Sequence, residues 1–211
     1  MITLTAYRWV PPFAQGLVKD LRVRWALEEA GLAYQERLLE GGENAGPAYR
    51  ALQPFGQVPV IEMDGLKLFE SGAIVLHIAE QSEALLPVDP AGRARARTWV
   101  FAALNSIEPS IDNLGDTESK DAWAVARRPA ALDKVLRRLD ELEIWLGDKD
   151  YLEGRFTAGD LIMTTVLRNL RETDIVATRP KLAAYVSRCE ARPAFQKALA
   201  DHMRPFAASA A

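Results

Sequence analysis

Cysteine is almost missing from this chain. Cys189 is the one cysteine among 211 residues, so no disulfide forms within the chain, and Cys-x-x-Cys redox pairs and zinc knuckles are excluded with it. An excess of positive charge is also missing. The chain has 26 Lys and Arg against 29 Asp and Glu, a net charge of -3, and so no electrostatic pull on nucleic acid or anionic lipid. No apolar run reaches the roughly 18 residues needed to span a bilayer. The segment Met1 to Arg8 carries no basic region ahead of an apolar stretch, so it does not read as a secretory leader. What is present is an ordinary globular mixture, 49% hydrophobic and 26% charged, with enough apolar material for a substantial core in one large domain or two small ones. The expectation is a reduced, cytoplasmic protein without nucleic-acid, membrane or metal partners.

The pattern changes along the chain. Apolar residues alternate over 2–9, take the helical period over 16–30 and resume as a strand at 33–39. A glycine-rich loop follows at 41–46, then a short irregular helix at 47–52. Strands at 58–63 and 66–69 flank Asp64-Gly65, a hairpin signal because both turn positions need positive φ. A helix at 70–81 completes the order β-α-β-α-β-β-α. Two prolines, Pro87 and Pro90, mark a linker, after which only helices are predicted: 91–114, 129–146, 157–171, 179–191 and 193–200, with a loose tail at 207–211. The predicted division is an α/β domain over 1–82, a linker over 83–90 and an all-helical domain over 91–211. Within the second, Thr157 and Asp160 have capping-box spacing, and Phe156 with Leu161 has that of a hydrophobic staple.

The stretch from Phe55 to Ile74, FGQVPVIEMDGLKLFESGAI, is similar to the glutathione-binding core of the glutathione S-transferase family, in which a Val-Pro pair opens the third strand and Glu-Ser opens the third helix. The run Phe156-Thr157-Ala158-Gly159-Asp160-Leu161 is similar to a second hallmark of that family. The resemblance covers both domains. It implies an α/β thioredoxin-like N-terminal domain plus an all-α C-terminal domain, and a glutathione transferase acting in detoxification. Glutathione would be its co-substrate, a small apolar electrophile its second substrate, a homodimer its assembly, and no other cofactor would be needed.

The implied glutathione contacts have a direct chemical logic. A cis Pro59 would turn the N–H and C=O of Val58 outward, where an extended peptide pairs as an added strand does. Glu70 and Ser71 stand at a helix mouth, where unpaired N–H groups and the dipole favour an anion. Ser71 can donate to the γ-glutamyl carboxylate, and Glu70 can accept from its ammonium. Gln57 either reaches the glycyl or cysteinyl part or is simply exposed. Phe55 matches a position where some members insert an aromatic into the partner subunit, with local packing as the alternative.

The resemblance departs at the residue that activates the thiol. The family places Tyr, Ser or Cys near the end of the first strand or the start of the first helix, yet residues 10–20 contain none of these. Counting back from Gly31 puts the tyrosine position of one branch on Phe13, the serine position of another near Leu17, and the cysteine position of a third on Lys19. Counting forward from the first strand puts the role on Tyr7. The expected thiol contacts are Phe13, Gln15 and Gly16, with the backbone N–H groups of residues 14–17 at a helix N-terminus, the Gln15 amide donating, and Tyr7 or Lys19 as alternatives. Residues 21–27 are similar to the first helix of the zeta branch, which isomerises maleylacetoacetate, but that branch's Ser-Ser-Cys is missing. Phe101, Asn105 and Glu108 lie on the helix that in the family walls the second-substrate pocket, and Trp99 belongs either there or in the core. His77 reads as structural, His202 as close to the loose end, Cys189 as buried or incidental, and Arg93, Arg95 and Arg97 as a solvated face. The rival readings are a non-catalytic binding or assembly module of the same family, favoured by the missing hydroxyl or thiol, and a glutathione-dependent isomerase or peroxidase.

Overall fold

In a computed structural model describing residues 1–208, the chain divides into two compact units. The first comprises Met1–Leu86 and the stretch beginning at Ala191, and the second Pro87–Glu190. The linker predicted at 83–90 therefore accounts for one crossing between units. The other, at Ala191, leaves the last helix with the first unit instead of with an all-helical 91–211.

A four-stranded sheet organises the first unit. Strand β1 (Ile2–Tyr7) lies between β2 (Tyr34–Leu39), which it pairs in parallel, and β3 (Val60–Met63), which it pairs antiparallel; β4 (Leu66–Phe69) closes the order β2-β1-β3-β4. The parallel pair needs a crossover, and helix α1 (Asp20–Ala30) supplies it, ending on Gly31 at φ 67°. The β3–β4 hairpin turns on Asp64 and Gly65 at φ 51° and 82°, the positive values that the dipeptide predicts. Helix α2 (Pro47–Arg50) is one turn, and α3 (Ser71–Ala79) follows β4 and packs on α1.

Two predicted boundaries move for local reasons. Strand β3 starts at Val60, two residues after Val58. Helix α1 starts at Asp20, not at residue 16. Pro11 and Pro12 open a 3₁₀ turn over Pro12–Ala14, and Gly16 then takes φ 78°, which no right-handed helix contains.

The last helix, α9 (Pro193–Ala208), lies against α1. Its Phe195 meets Trp25 edge-on with ring centroids 4.8 Å apart, and Arg192 grips Glu29 through two contacts of 2.6 and 2.7 Å. That apolar and ionic match returns the chain to the first unit. Ala207 and Ala208 belong to this helix instead of to a tail, and residues 209–211 lie outside the described residues.

The second unit is helical among its described residues. Asp89 caps α4 (Pro90–Ala102) by accepting from the Gly92 N–H at 2.7 Å. A π-helical segment, Ala103–Ile107, joins it to α5 (Glu108–Gly115). The break fits Pro109, whose ring and missing N–H disrupt the i→i−4 ladder one turn back. Helix α6 (Ala122–Leu146) carries Pro129 inside it, so it begins earlier than the proline suggests. Helix α7 (Ala158–Leu167) opens with the predicted capping box between Thr157 and Asp160, and α8 (Pro180–Glu190) follows. Gly159 lets α7 approach α4 closely. A Cβ there would meet the Trp99 Cβ at 2.5 Å. Trp99 is thereby tied into helix packing, with its Nε1 donating to Glu153 at 2.8 Å. Among the described residues no helix is long and apolar enough to cross a membrane.

Candidate active site

Tyr7 ends β1 with its ring against Leu39, Tyr49, Val58 and Val60. It lines a cavity of about 370 Å³ together with Phe13, Ala14, Leu17, Val18, Lys19, Gln57 and Val58. The β1–α1 loop therefore forms one wall and the Gln57-Val58 edge the other. The Val58–Pro59 bond is cis, as the motif predicts. Both residues are buried, while Gln57 is exposed.

This edge is built from side-chain hydrogen bonds. Buried Gln53 accepts from the Phe55 and Gln57 N–H groups at 2.6 and 3.2 Å. The Tyr49 hydroxyl donates to the Gln57 carbonyl at 2.7 Å, and Asn44 Nδ2 donates to the Gly56 carbonyl at 2.7 Å. Asn44 also approaches the Tyr7 hydroxyl at 3.5 Å. Desolvation by burial raises the Tyr7 pKa above that of an ordinary phenol. Tyr7 is therefore a neutral O–H donor at physiological pH, with its oxygen facing an amide donor and its ring on the cavity wall.

The loop opposite differs from the prediction. The sequence pattern predicts N–H groups pointing toward a ligand from a helix N-terminus. Instead Ala14 donates to Pro11 at 2.9 Å, Gln15 to Pro12 at 3.2 Å and Leu17 to Ala14 at 3.0 Å. The Gly16 N–H donates to His202 Nε2 at 3.2 Å. The Gln15 amide donates to the Val10 carbonyl at 3.1 Å. Three of the four backbone donors close turns within the loop before the helix begins, and the fourth, that of Gly16, is taken by His202. Phe13 is 78% exposed, and Lys19 is exposed at the cavity rim.

Helix α3 opens at Glu70 and Ser71. Glu70 is exposed and held at φ 69°, a region that non-glycine residues rarely enter. Ser71 is buried, and its Oγ accepts from Arg22 Nη1 at 3.2 Å. Because Oγ accepts there, its own proton is directed elsewhere, and the guanidinium adds charge to the positive end of the helix. Reading the sequence left Arg22 unassigned. Its apolar helical setting and 3% exposure mark a buried cation, yet nothing in the local pattern reveals its partner 49 residues away.

In the second unit, Phe101 is an exposed side chain in the last turn of α4, Asn105 is exposed in the π segment, and Glu108 is buried at the start of α5. Trp99 belongs with the packing of α4 on α7, as described. Phe55 is 64% exposed, with its ring 6.3 Å edge-on from Phe69. Cys189 is buried. Among the described residues no group of His, Cys, Asp and Glu is arranged to hold a metal.

Two family models match the chain: the glutathione S-transferase N-terminal domain over residues 4–80 and the glutathione S-transferase C-terminal domain over residues 118–193. The chain is 33% identical over 204 residues to a maleylacetoacetate isomerase of Rhizobium meliloti (strain 1021), with 87% of this chain and 92% of the relative covered. It is also 33% identical over 162 residues to glutathione S-transferase F14 of Arabidopsis thaliana, covering 69% of this chain and spanning 64% of that relative's length. A solved structure of the theta class glutathione S-transferase from Xanthomonas axonopodis pv. citri, with glutathione bound, is 30% identical, has a TM-score of 0.76 and covers 94% of this chain and 96% of its own.

Proposed function

The chain belongs to the glutathione S-transferase family, and from that premise we propose that it binds glutathione in its first unit and transfers the thiolate to a small apolar electrophile. The observation that carries this reading is the cavity shared by Tyr7, Gln57 and Val58, next to the cis Val58–Pro59 edge. In it, Val58 pairs with the cysteinyl backbone and Gln57 with its glycyl side. Ser71, backed by Arg22 and the α3 dipole, binds the γ-glutamyl carboxylate, and Glu70 accepts from the ammonium.

The thiol then lies beside Tyr7. Of the candidates left open by counting, Tyr7 is favoured because it combines a retained proton with a place on the cavity wall, while the loop N–H groups are spent. Its O–H donates to the sulfur and stabilises the thiolate, and the bound thiolate attacks the electrophile with the advantage of proximity. Lys19 at the rim adds positive charge. We assign the electrophile's contacts to Phe101, Asn105 and Glu108. A homodimer in which exposed Phe55 meets the partner subunit, a cytoplasmic location and a detoxifying role complete the proposal.

Calorimetric titration with glutathione tests it. Sub-millimolar binding is expected, and no binding transfers the case to the non-catalytic assembly reading. A glutathione-dependent isomerisation is the second reading, favoured by the similarity to the Rhizobium isomerase. Assays with maleylacetoacetate and with aromatic halides side by side separate the two.

A further inference from the structure

His202 is 1% exposed, not a residue of a loose end. The Gly16 N–H donates to its Nε2 at 3.2 Å, across 186 positions of sequence. Only a bare ring nitrogen can accept from an N–H, so Nε2 carries no proton. Nδ1 must then be the protonated nitrogen, and it faces Asp20 Oδ2 at 3.0 Å. The same carboxylate oxygen accepts from Arg24 Nε at 2.8 Å, and Asp20 and Arg24 are 2% and 1% exposed. Arg24 also pairs with Glu36, which Arg204 of α9 contacts at 3.0 Å. Phe206 closes the remaining side with its ring centroid 5.2 Å from that of the imidazole. The histidine is thereby held in one place and one tautomer.

Docking of α9 on α1 does not require the Nε2–Gly16 contact. Phe195 on Trp25 and the forked Arg192–Glu29 pair already provide it. What the Nε2 contact does add is a fixed position for Gly16, whose φ of 78° lies in the middle of the loop that walls the cavity. We propose that His202 is a positioning residue for this loop, with its bare Nε2 holding Gly16, and so the Phe13–Lys19 wall, in the geometry that receives the cysteinyl group of glutathione. The proposal rests on the glutathione reading above for its ligand but not for its geometry.

Two substitutions separate this role from helix docking. The amide oxygen of His202→Gln reaches the place of Nε2 and can accept from Gly16. The shorter amide of His202→Asn stops at the place of Nδ1 and reaches only Asp20. In His202→Asn, the Kd and KM for glutathione should rise about tenfold, the size of one lost preorganising hydrogen bond, with kcat at saturating glutathione little changed. His202→Gln should remain close to wild type. Hydrogen exchange of the Gly16 amide should accelerate in the Asn variant only. Arg192→Ala, which loosens α9 without touching the loop, should lower Tm and leave Kd unchanged. If His202→Asn binds like wild type, or if the Gln variant is the impaired one, His202 only docks the helix and the proposal is overturned. Should a variant fail to fold, the wild type decides. Nitrogen NMR of its imidazole must show a protonated Nδ1 and a bare Nε2 at neutral pH, and the opposite tautomer refutes the assignment. A wild type that binds no glutathione defeats the functional reading, while Gly16 exchange and the tautomer still judge the positioning claim.

Discussion

Tyr7→Phe removes one oxygen from the cavity and little else. The ring keeps its contacts with Leu39, Tyr49, Val58 and Val60, and Asn44 retains its bond to the Gly56 carbonyl at 2.7 Å. The lost contact with Asn44, at 3.5 Å, is at the limit of a hydrogen bond, so stability should change little. The thiol is affected differently. A hydrogen bond to a charged acceptor contributes about 1.5–3 kcal/mol, and about 1.36 kcal/mol corresponds to one pKa unit. With the sulfur placed beside Tyr7 as proposed, donation from its O–H would lower a thiol of pKa about 8.5 by roughly one to two units. At pH 7 the thiolate fraction of bound glutathione should be about 30–80% in the wild type and about 3% in the variant. Titrating the ultraviolet thiolate absorbance of the enzyme–glutathione complex reads this directly, and kcat/KM at low pH should fall in parallel. Because burial holds the Tyr7 phenol above its usual pKa, no ionisation of Tyr7 itself should intrude below that range. A bound thiol with the same pKa in both proteins would refute the placement of sulfur beside Tyr7.

Three further outcomes follow from other parts of the molecule. Ser71→Ala deletes the hydroxyl that Arg22 orients, and glutathione binding measured by calorimetry should weaken by roughly tenfold or more, as for a lost hydrogen bond to a carboxylate. Thr157→Ala breaks the capping box and should lower stability by about 0.5–2 kcal/mol, seen as a fall of a few degrees in Tm with Kd for glutathione unaffected. Burial by itself would raise the Asp20 pKa, but His202 and Arg24 together hold it below the usual carboxylate value. A lowered folded pKa makes the ionised group stabilising above its unfolded pKa, and that stability is lost as pH falls through the folded value. Denaturant melts should show this acid loss in the wild type and a flatter acid limb in Asp20→Asn.

How much of this was legible beforehand depends on the range of the interactions. Alternation marks β1, Asp64-Gly65 marks the hairpin, and Thr157 to Asp160 marks the cap. In each, the deciding contacts lie within a few residues, so composition and spacing carry them. The Val-Pro pair likewise marks the cis bond before β3, and Glu-Ser marks the mouth of α3. Apolar spacing alone extends α1 back to Gly16, but the turn over Pro12–Ala14 and the positive φ of Gly16 delay its start to Asp20.

The sequence alone therefore determined where most strands and helices lie and the family resemblance, because periodicity and short motifs report forces that act locally. Tertiary structure alone decided that Arg22 serves Ser71, that His202 holds Gly16 and that α9 returns to the first unit. Those bonds join residues 49 and 186 positions apart, and a hydrogen bond between distant residues leaves no periodic trace in the chain that forms it.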